Sequence, residues 1–347
     1  MKLIISSVLS YVLLVMPCLG ISISLDYSHS ATSFFNTGTS DGVTARAAVQ
    51  AAANDLSDAI TSSLSSLDMS SSPAYSGTSG GATITLTPSL SYTNPDTAGS
   101  ESFSGSLSAN EFIIFVGARS LGGLTLGQGG PGGVGLGVGS SLTGSPSEAQ
   151  VQAAADSASA SASAAMTRGG HVIETITGAF GDPYAGVTYS TSFGPTIGNL
   201  WFDNDGSTTW HLDHTTSVAL SSSDLYSVAL HEMLHSLGIG ISNPWDDLVS
   251  GTDWLGSEAI AEYGSGTALI DSGGGHIASS IMSTRLSDGG SQEVVMDPDI
   301  TTGTRKELTD LDLAFLRDIG WQTVPEPTSS LLLCLGALLG LTTRRRL

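Results

Sequence analysis

The stretch Ser221-Ser222-Ser223-Asp224-Leu225-Tyr226-Ser227-Val228-Ala229-Leu230-His231-Glu232-Met233-Leu234-His235-Ser236-Leu237-Gly238 decides how the rest of the chain is read. Its serines and Asp224 suit a helix N-cap, because short polar side chains accept from the first free N–H groups. Leu225, Val228, Ala229 and Leu230 follow at helical spacing, and Gly238 stands where a glycine can end the helix. On such a helix His231 and His235 are i and i+4, one turn apart on one face. Two imidazoles so placed can grip one Zn²⁺, and Glu232, next to the first of them, can take a proton from water at the metal.

A catalytic zinc takes three protein ligands and keeps a fourth position open. In the short metzincin pattern the third ligand lies three residues past the glycine. That position is Ile241, which cannot bind zinc. Two sets of candidates remain. One is a carboxylate, Asp253, Glu258 or Glu262, supplied from a later helix; the other is His276 in Gly273-Gly274-Gly275-His276. Further on come Val294-Val295-Met296-Asp297-Pro298, Leu308-Thr309-Asp310-Leu311-Asp312 and Asp318-Ile319-Gly320-Trp321. The last two bracket a helix that Thr309 and Asp312 can cap. Leu311, Phe315 and Ile319 form its apolar stripe, which reads as core, and Gly320 ends it.

Taken in order, these motifs over residues 199–321 resemble the leishmanolysin family, a branch of the metzincin zinc peptidases. The resemblance implies an α+β metzincin-like domain with a mixed twisted sheet, an active-site helix and a methionine turn. It further implies His276 as third ligand beside His231 and His235, and Met296 beneath the metal. Met282 is a weaker rival for that turn, having no proline after it. The expected activity is that of a zinc endopeptidase on protein or peptide substrates, with Glu232 as general base. In this resemblance Leu200-Trp201-Phe202 would form an exposed sheet edge, able to pair with extended substrate through its backbone. Family members with a cysteine pro-segment differ from this chain. Its two cysteines, Cys18 and Cys334, lie in the terminal segments, which leaves no thiolate ligand and no cysteine-based latency.

The two ends read as addresses. Lys2, the apolar run from Leu3 to Met16 and the small residues after it suit a secretory signal over residues 1–20. Val324-Pro325-Glu326-Pro327, a short apolar run and Arg344-Arg345-Arg346 resemble the bacterial PEP C-terminal sorting signal over residues 324–347. That implies transient membrane retention, then cleavage by a processing membrane peptidase. Together they predict export to the surface or surroundings of a Gram-negative-type bacterium.

Between the ends, residues 21–321 read as one catalytic body. Strands are expected near 82–92, 111–117, 187–192 and 198–203, and a helix over 45–67. Residues 122–139 are glycine-rich with no following Lys-Ser or Lys-Thr, so a phosphate-binding loop is excluded and a flexible surface loop expected. Residues 145–166 form a Ser/Ala-rich helix with little to pack. His211 and His214 read as loop residues or a second metal site, and His29 and His171 as surface histidines. Eleven Lys and Arg against 32 Asp and Glu, a formal charge of −21, exclude nucleic acid and anionic lipid as partners. Ca²⁺ is conceivable for so acidic a chain but unsupported, as no EF-hand loop occurs. A reading from another class is a non-catalytic matrix or surface protein with a structural or degenerate zinc site; Glu232 stands against it, since a structural site has no need of that carboxylate.

Overall fold

The computed structural model describes residues 20–29 and 33–324. The expected signal segment, apart from Gly20, and the sorting segment after Val324 lie outside the described residues. The chain opens with strand β1 (Ser22–Asp26) and helix α1 (Ser40–Ala59), which Thr39 caps by accepting from the Gly42 N–H. Strands β2 (Leu67–Asp68), β3 (Tyr75–Ser79), β4 (Ala82–Thr93), β5 (Ser100–Phe103) and β6 (Ser106–Leu107) follow. Then come β7 (Glu111–Arg119), β8 (Gly127–Pro131), β9 (Gly133–Leu142) and helix α2 (Glu148–Met166). Strands β10 (Glu174–Ala179) and β11 (Thr188–Phe193) form a hairpin before β12 (Ile197–Asp203) and the motif helix α3 (Leu225–Ser236). Three more helices, α4 (Asn243–Leu248), α5 (Ser257–Tyr263) and α6 (Asp310–Asp318), belong to the C-terminal third. The architecture is mixed α+β, as expected.

The sheet that carries the site has the order β1-β7-β12-β8. β1, β7 and β12 are parallel and β8 is antiparallel at the edge. Parallel strands are covered on both faces and read as apolar runs, which is why Ile114, Val116, Leu200 and Phe202 are buried. They share one core with the alanine face of α1 and with Leu230, Met233 and Leu234 of α3. Here the edge-strand expectation is corrected. Leu200, Trp201 and Phe202 lie in β12, which is paired on both sides and buried along its length. The neighbouring edge is β8.

β8 and β9 also correct the reading of residues 122–139 as a loop, since most of that stretch is strand. The glycines have a packing reason. A Cβ on Gly129 would lie 2.4 Å from the Glu232 carbonyl oxygen, and one on Gly127 would lie 2.9 Å from Val228. Only a strand with glycine at both of these positions can lie this close to α3.

A second sheet sets β3 and β5 on one side of β4 and β9 on the other. The Ser/Ala-rich α2 packs on it, so the expectation that this helix has little to pack is also corrected. Ala154, Ala155, Ala158 and Ala162 bury against Ala82, Ile84 and Leu86. Contact is close enough that a Cβ on Gly77 would lie 2.1 Å from the Ala154 carbonyl oxygen. Arg168 ties this lobe to the rest. Its buried guanidinium donates to the carbonyls of Ser65, Ser108, Glu111 and Pro195. Burial lowers its pKa to about 10, so it stays charged at neutral pH.

Candidate metal centre

Helix α3 forms for the reasons legible in its sequence. Asp224 caps it, accepting from the Ser227 N–H at 3.2 Å. The same carboxylate takes two bonds from Arg305, at 2.7 and 3.0 Å, and Arg305 also reaches the carbonyl of His214. The helix start is thus locked to the preceding loop. Gly238 adopts φ +108° and ends it.

His231 and His235 project from α3 towards His276, and the three rings offer ligand atoms all within 4.8 Å of one another. Each helix imidazole is oriented by a backbone carbonyl. His231 Nδ1 faces the Val295 carbonyl at 2.9 Å, and His235 Nδ1 faces the Ile239 carbonyl at 2.8 Å. A carbonyl only accepts, so both Nδ1 atoms carry hydrogen and both Nε2 atoms present a lone pair. His235 Nε2 lies 3.2 Å from His276 Nε2. Tetrahedral zinc with Zn–N bonds of ~2.0–2.1 Å places its ligand nitrogens ~3.3–3.4 Å apart. The donor set fits such an ion. Burial above all holds the pKa of each ring down, that of His235 to about 4 and that of His231 well below the usual histidine range. Neutral imidazoles are the form that binds metal.

His276 comes to the site on a short turn closed by an antiparallel bridge between Ile270 and Ile277. Asp271 Oδ1 accepts the His276 N–H at 2.9 Å, and Trp245 Nε1 donates to the Gly274 carbonyl at 2.8 Å. Gly240 touches this turn from below: a Cβ there would lie 2.2 Å from the Gly275 carbonyl oxygen. Met296 is fully buried and its carbonyl accepts the Ile277 N–H, next to His276. Met282, its rival, is 48% exposed and lies away from this contact. Among the described residues no carboxylate joins the cluster. Asp253 accepts from the Ala268 N–H, while Glu258 pairs with Arg317 from α5, the helix that also carries Glu262. His211 and His214 do not join it either.

Beside the three rings lies Glu232, buried, with its carboxyl accepting from the Gly129 N–H of β8. Burial pushes its pKa up to about 8. The cleft over these residues has a volume of about 900 Å³ and runs from Gly127–Gly129 to Asp297–Asp299. Lys306 neutralises the acidic end of that cleft, bonding the Asp299 carbonyl at 2.8 Å and pairing with Glu293 and Asp297.

Residues 323–346 match the PEP-CTERM protein-sorting motif. No curated protein and no solved structure is significantly similar to the chain. The motif makes this an exported, cell-surface protein of Gram-negative bacteria, processed by exosortase at its C-terminus. No family match covers residues 199–321, so the likeness there rests on the motif residues themselves.

Two contributors escaped the sequence reading. Asp312 is legible as half of a capping box, but its carboxylate also accepts from the backbone N–H groups of Val295 and Met296, at 3.1–3.3 Å. It therefore fixes the turn whose carbonyl orients His231. Gly129 carries no signal of its own, because strand pairing across distant sequence decides what its N–H meets. His171, expected at the surface, is largely buried with its ring 4.6 Å from that of Trp321, and burial lowers its pKa to about 4. His29 bonds Tyr92 and Asn94 rather than standing free.

Proposed function

We propose that this protein is a zinc-dependent endopeptidase of the cell surface, with His231, His235 and His276 as ligands and Glu232 as general base. Glu232 carries the reading. A buried carboxylate with a single backbone N–H partner costs several kcal/mol relative to an apolar side chain. A structural zinc site would gain nothing from it. Proton transfer explains its place, beside the three rings and lining the cleft.

Zinc, when bound, supplies a Lewis acid that polarises the scissile carbonyl and acidifies water. Glu232 would take a proton from water in the cleft and return it to the leaving amine. The carbonyls of Val295 and Ile239 hold the two helix imidazoles, so little reorganisation is needed during reaction. Substrate is held by backbone pairing to the edge strand β8, whose residues Gly127, Gln128 and Gly129 line the cleft. The rival reading, a surface protein with a non-catalytic zinc site, is favoured only by the sorting motif, which suits an enzyme equally.

The test is zinc content by elemental analysis together with casein cleavage, on the full-length protein and on Glu232→Ala. One zinc per chain is expected in both, with cleavage lowered about 10²–10⁴-fold in the variant. Undiminished cleavage by the variant would refute the role of Glu232. Zinc in the wild-type protein without any cleavage would favour the surface-protein reading.

A further inference from the structure

A second cavity, of about 350 Å³, opens next to the metal cleft. Phe112, Val134, Ile173, Ile176, Phe193 and Ile197 form its apolar walls. Ile241 lines both cavities and is 43% exposed, so it is the ridge between them. This is the position at which the short zinc motif would have placed a histidine. With His276 supplying that ring from elsewhere, the side chain at 241 is free to shape the neighbouring space. Its Cδ1 sits 3.3 Å from where a Cβ of Gly130 would be, which places the ridge against the edge strand β8.

We propose that this cavity is a substrate subsite for one large apolar side chain on the N-terminal side of the cleaved bond. The inference rests on the peptidase reading above. β8 runs from Gly127, beside Glu232, to Pro131, and Pro131 and Val134 then border the cavity. An extended chain paired along β8 is therefore led from the reacting centre straight to the cavity. Antiparallel pairing is the more stable per residue. In that direction the residues beside Pro131 precede the residues beside Glu232. Two to four residues at ~3.4 Å each separate the two places, which assigns the cavity to a side chain two to four positions before the scissile bond. Its volume falls within the range of ligand pockets. Glu174 is its one charged lining residue, and this disfavours an acidic side chain.

The experiment digests a mixed peptide library with the zinc-loaded full-length protein and reads the residues flanking each cut. Phe, Leu, Met or Trp should be enriched at one position two to four residues before the cut. Ile176→Trp and Val134→Trp fill the cavity from two different strands, β10 and β9, and both residues are only partly buried, so both variants should fold. Each should lower kcat/KM for a peptide with Phe at that position by about 10–200-fold, while the Gly counterpart changes less than about twofold. In a Glu232→Ala background, which removes turnover, the same variants should weaken binding of the Phe peptide and leave the Gly peptide unaffected. Cleavage without a preference at those positions, or equal losses on both peptides, overturns the subsite and leaves the peptidase reading standing. No cleavage by the zinc-loaded wild-type protein overturns both.

Discussion

The candidate metal centre and the lobe built from β3, β4, β5, β9 and α2 use opposite materials. At the centre, large apolar side chains surround a few buried polar groups, and nearly every polar group is fixed by a named partner: His231 by Val295, His235 by Ile239, Asp312 by four backbone and side-chain donors. In the lobe, alanine, serine and glycine allow helix and sheet to approach until backbone meets backbone. The first region is made precise by hydrogen bonds and the second by the absence of side chains. A substitution at the centre should therefore change chemistry at modest cost in stability. One in the lobe should do the reverse.

The largest effect is expected from His276→Ala. Removing one of the three proposed ligands leaves two imidazoles on one helix, too few for a tight zinc site. Zinc measured per chain should fall from one towards zero, and cleavage with it. Retained zinc would return the third ligand to a carboxylate, which α5 with Glu258 and Glu262 would then have to supply by moving.

A smaller effect tests whether the hydrogen bonds matter as argued. In Asp312→Asn one carboxylate oxygen becomes an NH₂ group. Its hydrogens then face the N–H groups of Val295 and Met296 or those of Thr309. The turn that orients His231 should shift, and zinc affinity should weaken about 10–100-fold, the usual range for such supporting partners. Competition with a chromophoric chelator measures this directly. An unchanged affinity would mean that α6 merely fills the core.

How much of this was legible in the sequence follows the same division. Helix α3, its cap, its glycine stop and the pairing of His231 with His235 are local, so periodicity exposes them. The stripe Leu311, Phe315 and Ile319 is local too, and all three are buried. The placement of His276 is not local. Its approach depends on a turn of glycines and on Gly240 beneath it, and spacing alone left Asp253, Glu258 and Glu262 as rivals. The strands β8 and β9 were illegible for a plainer reason. Glycine has a poor strand propensity, and these glycines are strand residues because of what packs on them. The same blindness put the sheet edge at Leu200 rather than one strand away.

The smallest expected effect on chemistry comes from Gly77→Val, and it separates the two regions most cleanly. The added side chain must displace the α2 backbone, since its Cβ would lie 2.1 Å from the Ala154 carbonyl oxygen and 2.7 Å from the Ala158 nitrogen. Overpacking of this kind costs typically 1–3 kcal/mol. For a chain of this size each kcal/mol lowers the melting temperature by roughly 2–4 °C. Zinc content should stay at one per chain and cleavage within about twofold, because α2 and β3 contribute no residue to the metal cleft. Should zinc be lost along with stability, the lobe and the centre would be one cooperative unit, and Arg168, which joins them through four carbonyls, would be the first residue to examine for the coupling.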